Sequence, residues 1–510
     1  MLCRNYNPVL RMGLEKKGWG ASLRVVSAAP DEHVLFEASE GFFEHCRSRS
    51  AKRVLTWTQG VVLVVLFSAA GWALFTHRCA VWSAAHIIGF GLFAIAILWR
   101  LLAAASLAPV RSRLFVPGRD EIWPIYTILC PLHREAGVVF DLVAALNRLD
   151  YPKHALDIQL LVEGDDVETI AAALAAANGP HIDVVIIPPA SPRTKPKALN
   201  VGLARARGDY ITVFDAEDRP HPTQLRAALA AFADGDARLA CLQAPLVIDN
   251  ARASWIARQF AAEYAIQFRE ILPLLARLKL PLPLGGTSNH FRVDALRAVR
   301  GWDPYNVTED ADLGYRLARD GYTMGVIAPP TWEEAPITLS AWLKQRTRWI
   351  KGHLQTWLAL MRNPVRTAQE MGFDAFASMQ LVLGGGIAAS LLHAPLIGLL
   401  LYDAVTHANI LGPADVMLAL CGYVVAVFAA LTASALSGDL SHARAAFTMP
   451  LYWPLATVAA VGAVFGLIFR PHHWAKTAHG VSARARMPAF DQPARTFEIS
   501  AQSASTSASG

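Results

Sequence analysis

The sequence predicts a soluble α/β domain inserted between two blocks of membrane-spanning helices. Three observations predict it. Apolar runs of membrane length occur before residue 110 and after residue 370. Between them, short β-branched runs alternate with helical patterns, which implies crossover connections and a parallel sheet. Acidic clusters follow those short runs, and ligands of such sheets bind beyond the carboxyl ends of the strands. The 510 residues are 54% hydrophobic and 17% charged, too apolar for one soluble globule and too mixed for a pure membrane bundle. A net charge of +6 would suit nucleic acid, but the basic residues gather at the ends of apolar runs, as cytoplasmic loops require. No nucleic-acid partner is expected. The six cysteines (Cys3, Cys46, Cys79, Cys130, Cys241, Cys421) show neither a C-x-x-C pair nor Cys/His ligand spacing, which argues against a disulfide framework or a zinc module.

Residues 1–53 carry many basic residues, from Arg4 to Arg53, and no cleavable apolar leader, so they read as a cytoplasmic tail. Residues 54–105 read as a transmembrane hairpin. Val54–Phe75 has the length of about 20 residues that a crossing helix needs, and a second run extends from Val81 to Ala105 after a connection at Thr76–Cys79. Arg100, Arg111, Arg113 and Arg119 then return the chain to the cytoplasm. The α/β domain is expected over 110–370, with strands at Ile125–Leu129, Ile158–Val162, Val184–Ile187 and Tyr210–Phe214 and helices at Val139–Leu149 and Ile170–Ala176. Two more spans are expected within 381–436, Leu381–Tyr402 and Val416–Leu436, around an outside loop without Lys or Arg. Phe447–Phe469 is apolar but has Arg444 before it, Arg470 after it, and Pro450 and Pro454 inside it; it reads as interfacial or re-entrant rather than spanning. Four spans result, with residues 470–510 a cytoplasmic tail whose Ser/Ala-rich end is disordered.

The chemistry concentrates in a few clusters. Glu163-Gly-Asp165-Asp166 follows one strand, and Asp215-Ala-Glu217-Asp218 follows another. Asp215 and Glu217, two residues apart, suit a hard divalent cation, Mg²⁺ or Mn²⁺, whose shell a diphosphate would complete; a solvated acidic turn would read the same way. Asp165 and Asp166 suit hydrogen bonds from a base or ribose and equally suit a helix N-cap. Lys195 could reach a phosphate or a base, or stand in an exposed loop. Asp310, in Thr308-Glu309-Asp310, is the candidate general base, though an acid at a helix start also caps. Gly285-Gly-Thr287-Ser288-Asn289-His290 gathers small and polar groups, as an acceptor loop or a simple turn would. Gln345-Arg-Thr-Arg348-Trp349 sits in a helical pattern; its indole offers a flat face to a sugar ring, and Gln345 and Arg348 donate to oxygens or phosphate.

Taken in order, Asp-Asp, Asp-x-Glu, Thr-Glu-Asp and Gln-x-x-Arg-Trp resemble the membrane-embedded family 2 glycosyltransferases, the group of cellulose, hyaluronan and chitin synthases. The resemblance covers roughly Tyr126–Gly352 and the flanking spans. It implies a GT-A fold, Rossmann-like and nucleotide-sugar-binding, and an inverting transfer. Asp165, Asp166, Lys195 and Asp215 would bind the nucleotide sugar, Asp215 and Glu217 the metal, and Asp310 would be the base. Thr287, Ser288, Asn289, Glu309, Gln345, Arg348 and Trp349 would contact the acceptor or product. The usual second Asp of the metal motif is Glu217 here, with Asp218 beside it, so which acid binds metal stays open. Pro471-His-His-Trp474-Ala-Lys476 reads as a gate over the nucleotide site or as a membrane-anchoring cluster.

The resulting expectation is a multi-pass enzyme of a bacterial-type inner membrane with its catalytic domain cytoplasmic. It would polymerise a sugar from a nucleotide donor, UDP-glucose first, onto a growing β-linked glycan and export it across the bilayer, with periplasmic or outer-membrane export proteins as partners. Transfer of one sugar to a lipid carrier, and a non-catalytic scaffold or receptor of an envelope export system, are the alternatives.

Overall fold

The computed structural model describes residues 29–106, 109–118, 122–438 and 443–474. The Ser/Ala-rich end and the basic residues Lys476, Arg484 and Arg486 lie outside the described residues.

The first membrane block is a hairpin of α1 (Trp57–Thr76) and α2 (Arg78–Ala105). Thr56 caps α1 by accepting from the Gln59 amide, and the connection expected over four residues contracts to His77. Strands β1 (Tyr126–Leu132), β2 (Leu156–Glu163), β3 (Ile182–Ile187) and β4 (Tyr210–Val213) follow, linked by α3 (Val139–Asn147), α4 (Val167–Ala176) and α5 (Lys195–Arg205). Every residue of β2 is buried, as a parallel sheet covered by helices on both faces demands. After β4 come β5 (Arg219–Pro220), α6 (Gln224–Asp234), β6 (Leu239–Gln243), β7 (Leu246–Ile248) and α7 (Trp255–Ile266). The domain continues with β8 (Asn289–Arg292), α8 (Glu309–Arg319), β9 (Thr323–Val326), β10 (Thr331–Glu333) and α9 (Leu339–Leu360).

The main sheet has the order β3-β2-β1-β4-β8-β6-β9, and a small one has β5-β10-β7. Strands β3, β2, β1 and β4 run parallel; β8 is antiparallel to both of its neighbours. The chain builds outward from β1 through β2 to β3, then crosses to place β4 on the other side of β1. That reversal is a topological switch point, and the crevice beyond the carboxyl ends of β1 and β4 is where such a sheet takes ligands.

Among the described residues, five helices are long and apolar enough to cross a membrane: α1, α2, α10 (Phe373–Thr406), α11 (Pro413–Ser437) and α12 (Met449–Phe469). The α10 helix starts ahead of the expected Leu381 and passes through a π-helical turn at Gln380–Gly384. Pro454 does not break α12, and Pro450 sits in its first turn, where a missing N–H costs nothing. Both ends of α12 are tied to the α/β domain. Before it, Thr448 accepts from Trp255 (3.0 Å) and Gln259 (2.6 Å) of α7. After it, the Lys351 ammonium of α9 donates to the carbonyls of Arg470 (3.0 Å) and His473 (2.8 Å). Between those ends it lies along α9, with the Trp342 indole donating to the Tyr452 hydroxyl at 2.7 Å. Leu451, Val458, Val461, Phe465 and Ile468 form its exposed apolar stripe.

Candidate active site

The Asp215–Asp218 turn leaves β4 at the switch point. Asp218 is 1% exposed and turns inward: its carboxylate accepts the Asp215 amide at 2.7 Å and the Thr287 hydroxyl. Burial, followed by the charges of Asp215, Glu217 and Glu333, pushes the Asp218 carboxyl well above its ordinary range. Asp215 and Glu217 instead line the cavity. Asp218 thus holds the turn, and Glu217 lines the cavity.

Lys195, at the start of α5, pairs with Asp215 and donates to the Gly286 carbonyl at 2.6 Å. Burial alone would depress the lysine, but Asp215, Glu309 and Asp310 around it outweigh burial and hold it above its ordinary value. It is not exposed in a loop; it lies between Asp215 and the Glu309–Asp310 pair. Asp165 and Asp166 do not line the cavity. Asp166 caps α4, accepting the Thr169 amide at 3.3 Å and the Arg134 amide, and Asp165 pairs with Arg193 at 2.5 Å. Arg193, Glu163 and the loop His133-Arg134-Glu135 line it instead. That loop went unread in the sequence although it follows β1 directly; Arg134 has a φ of 56°, a strained conformation for a non-glycine residue.

On the acceptor side, Glu309 and Asp310 open α8 and face the same cavity. Burial first, and Asp310 second, push Glu309 up to about 7, and burial likewise raises Asp310. Gly286 lies so close that a Cβ there would stand 3.2 Å from the Asp310 carboxylate. Thr287 lines the cavity, but its hydroxyl is committed to Asp218 and to the Val213 carbonyl (3.0 Å). Ser288 and Asn289 stay out of the wall: Ser288 donates to Thr331 (2.6 Å), and Asn289 donates to Gln243 (3.1 Å) and to the Gly285 carbonyl (2.7 Å). Both serve the loop, and Gly285 and Gly286 form the surface that the sequence assigned to them.

Helix α9 presents Gln345, Arg348 and Trp349 on one face, because residues three and four apart stack along a helix. All three line the cavity. Trp349 stacks on Tyr264 with centroids 6.2 Å apart and leans on Phe260 at 5.6 Å. The neighbouring Arg346 is fixed between the Trp342 and Trp349 rings and pairs with Glu263. Gln345 Oε1 and Arg348 Nε are buried and have no hydrogen-bond partner among the described residues. Arg348 also lies 5.5 Å from the Trp474 ring, which brings the chain beyond α12 over the same opening. The approach of α9 to α8 requires Gly352: a Cβ there would fall 2.2 Å from the Thr308 hydroxyl.

The cavity holds about 780 Å³ and joins these walls to residues of the membrane helices, among them Arg100, Ser390, His393 and Trp453. No group of three or more His, Cys, Asp or Glu residues is arranged to hold a metal among the described residues. The donor set is two carboxylates at the cavity wall, which fits a hard cation completed by phosphate oxygens rather than a protein cage.

Residues 210–462 match the family model "Glycosyl transferase family group 2". A β-monoglucosyldiacylglycerol synthase of Synechocystis sp. is 26% identical over 60% of this chain and 66% of its own length. A probable glycosyltransferase of Bacillus subtilis is 27% identical over 45% of this chain and 55% of its own. A UDP-forming cellulose synthase catalytic subunit of Xanthomonas axonopodis is 26% identical over 62% of this chain and 44% of its own. The chain therefore spans less than two thirds of each of these relatives. Among solved structures, a mannosyltransferase of Pyrobaculum calidifontis in complex with GDP-Man and Mn²⁺ superposes with a TM-score of 0.47 at 17% identity, covering 75% of this chain and 97% of the other.

Proposed function

The chain carries a family 2 glycosyltransferase domain, and from that premise we propose that it polymerises a sugar from a nucleotide donor, UDP-glucose, into a β-linked glycan. The observation that carries this reading is the single cavity joining Asp215 and Glu217, Asp310, the Gln345–Trp349 face and the membrane helices. A chain that grows by one unit per cycle needs a platform beyond the reacting centre, and Trp349, backed by Tyr264 and Phe260, supplies a flat face for a sugar there.

The nucleoside would lie at the β1 and β2 ends, beside Glu163, Arg193 and the His133–Glu135 loop, with the diphosphate toward Asp215 and Glu217. A divalent cation held by those two carboxylates would supply charge neutralisation for the departing diphosphate. Lys195, raised and kept cationic, adds positive charge beside them. Asp310 accepts the proton of the acceptor hydroxyl as that oxygen attacks the anomeric carbon from the face opposite the leaving group, so the configuration inverts. Arg348 and Trp474 close the opening and exclude water that would otherwise compete as acceptor. The lysine and arginine pattern supports a plasma-membrane location with this domain on the cytoplasmic side, four crossing helices, and α12 lying along the inner face.

A second reading, glucosylation of a membrane lipid, is favoured by Ile266, Ile271, Val382, Leu383 and Ala456, which make the membrane side of the cavity apolar. Purified membranes given Mg²⁺ or Mn²⁺ and radiolabelled UDP-glucose test both. High-mass product, abolished by EDTA and by Asp310→Asn, supports the polymerase. Label confined to short, solvent-extractable product replaces it with lipid transfer, and label from another nucleotide sugar corrects the donor.

A further inference from the structure

The segment ahead of α1 packs into the α/β domain. Phe42 and Ala51 are buried, and the Asn200 side chain donates to the Ala38 carbonyl at 3.2 Å. The segment holds α8 at both ends. At the carboxyl end, Arg49 bonds both oxygens of Asp320 at 2.7 and 2.9 Å. Midway, the Phe42 ring lies 4.5 Å from the Arg316 guanidinium, itself paired with Asp312 at 2.6 Å. Ahead of the amino end, the Ala51 amide (2.5 Å) and the Ser50 hydroxyl (3.2 Å) donate to Asp303. Asp303 is fully buried, also accepts the Tyr305 amide at 3.1 Å, and lies on the loop that runs into Thr308, Glu309 and Asp310.

The same segment reaches the other wall of the site. Arg362, just past α9, donates to the Ser50 carbonyl at 2.9 Å. Lys52 pairs with Glu40 at 2.6 Å and lies 4.9 Å from the Tyr305 ring centroid, while the Tyr305 hydroxyl donates to Glu40 at 2.6 Å. His472, beyond α12, closes the junction: its ring nitrogens stand 3.2 Å from the Lys52 carbonyl and 3.0 Å from the Tyr305 carbonyl. A segment needed only to lead into α1 would not require contacts to α8, α9 and the chain after α12 together.

We propose that residues 38–53 form a brace that sets the position of α8 against α9, with Arg49, Ser50 and Asp303 as positioning residues for Asp310. The proposal rests on the reading of Asp310 as the base. It goes beyond that reading by giving the membrane-proximal segment a part in turnover.

The test is a charge swap on the full-length protein in detergent or nanodiscs, with kcat and donor KM measured per folded molecule and Tm recorded. Arg49→Asp and Asp320→Arg each lower kcat about tenfold, as a displaced base does, with donor KM within about twofold. The double variant regains part of the lost activity, because it restores the pair with Asp320 in reversed sign while the 3.7 Å contact of Arg49 with Glu370 stays lost. Ser50→Ala removes one hydroxyl and serves where Arg49→Asp does not fold; it lowers kcat in the same direction. Single variants with unchanged kcat per folded molecule, or a double variant with no recovery, overturn the brace. If Asp310→Asn itself retains full activity, the base assignment fails, and that result is read separately from the swap.

Discussion

The β2–β4 side of the cavity and its α9 side leave different kinds of polar atom unpaired. Around the ends of β2 and β4, Lys195 is bonded to Asp215 and Gly286 and Glu163 is paired with Lys197, and the buried atoms left without a partner among the described residues are carboxylate oxygens, Glu163 Oε2 and Asp218 Oδ1. On the α9 side, Gln345 Oε1 and Arg348 Nε are buried without partners among the described residues. A buried polar group left unpaired costs about 1–3 kcal/mol, so a ligand that bonds to these atoms relieves a cost on either side. Asp310 stands where the two meet.

The largest effect expected is at that meeting point. Asp310→Asn removes the base and lowers kcat by about 10²–10⁴-fold, measured as sugar transfer at saturating donor; a loss below tenfold would break the division of roles. Next, Gln345→Met removes a buried acceptor atom that has no partner. Acceptor KM rises about tenfold, the value of one lost hydrogen bond, while Tm holds or rises. A fall in Tm of several degrees instead would show that Gln345 is bonded to the protein. The mirror experiment is Asp218→Ala, which strips the donor turn of two internal bonds. Stability falls by about 1–3 kcal/mol, read from thermal unfolding, with the loss of activity following from the unfolded fraction and a displaced Asp215.

The smallest effect is in pH dependence. Glu309 has its folded pKa raised from 4.5 to about 7, so the folded protein binds a proton that the unfolded chain releases. The folded state gains from that proton at low pH, and the gain is lost as pH rises from about 4.5 through about 7. Glu309→Gln flattens that part of a Tm-against-pH curve. An unchanged slope would place the titration elsewhere.

The long apolar helices, the alternating strands and the acids at strand ends were legible because each follows from a periodicity or a chain position. Strand β1 runs to Leu132 rather than Leu129, and that extension carried the His133–Glu135 loop into the cavity unread. Capping and ligand binding use one chemistry, an acid oxygen accepting N–H groups, so the sequence could not decide that Asp166 caps α4 while Glu217 faces the cavity. Ser288 and Asn289 read as acceptor contacts because their type is polar; their use inside the loop depends on Thr331 and Gln243, remote in sequence. The segment at 38–53 read as a basic tail for the same reason. Its partners, Asp303 and Asp320, lie 252 and 271 positions further along the chain.

At Gly352 the clearance between α9 and Thr308 is smaller than a methyl group. Two helices in contact at that depth share one datum: neither can move closer to the other. Trp349 on α9 and Asp310 on α8 therefore have their closest spacing set by one contact of the fold. Variation in what the enzyme accepts has to be written around that contact, in the side chains of the rim.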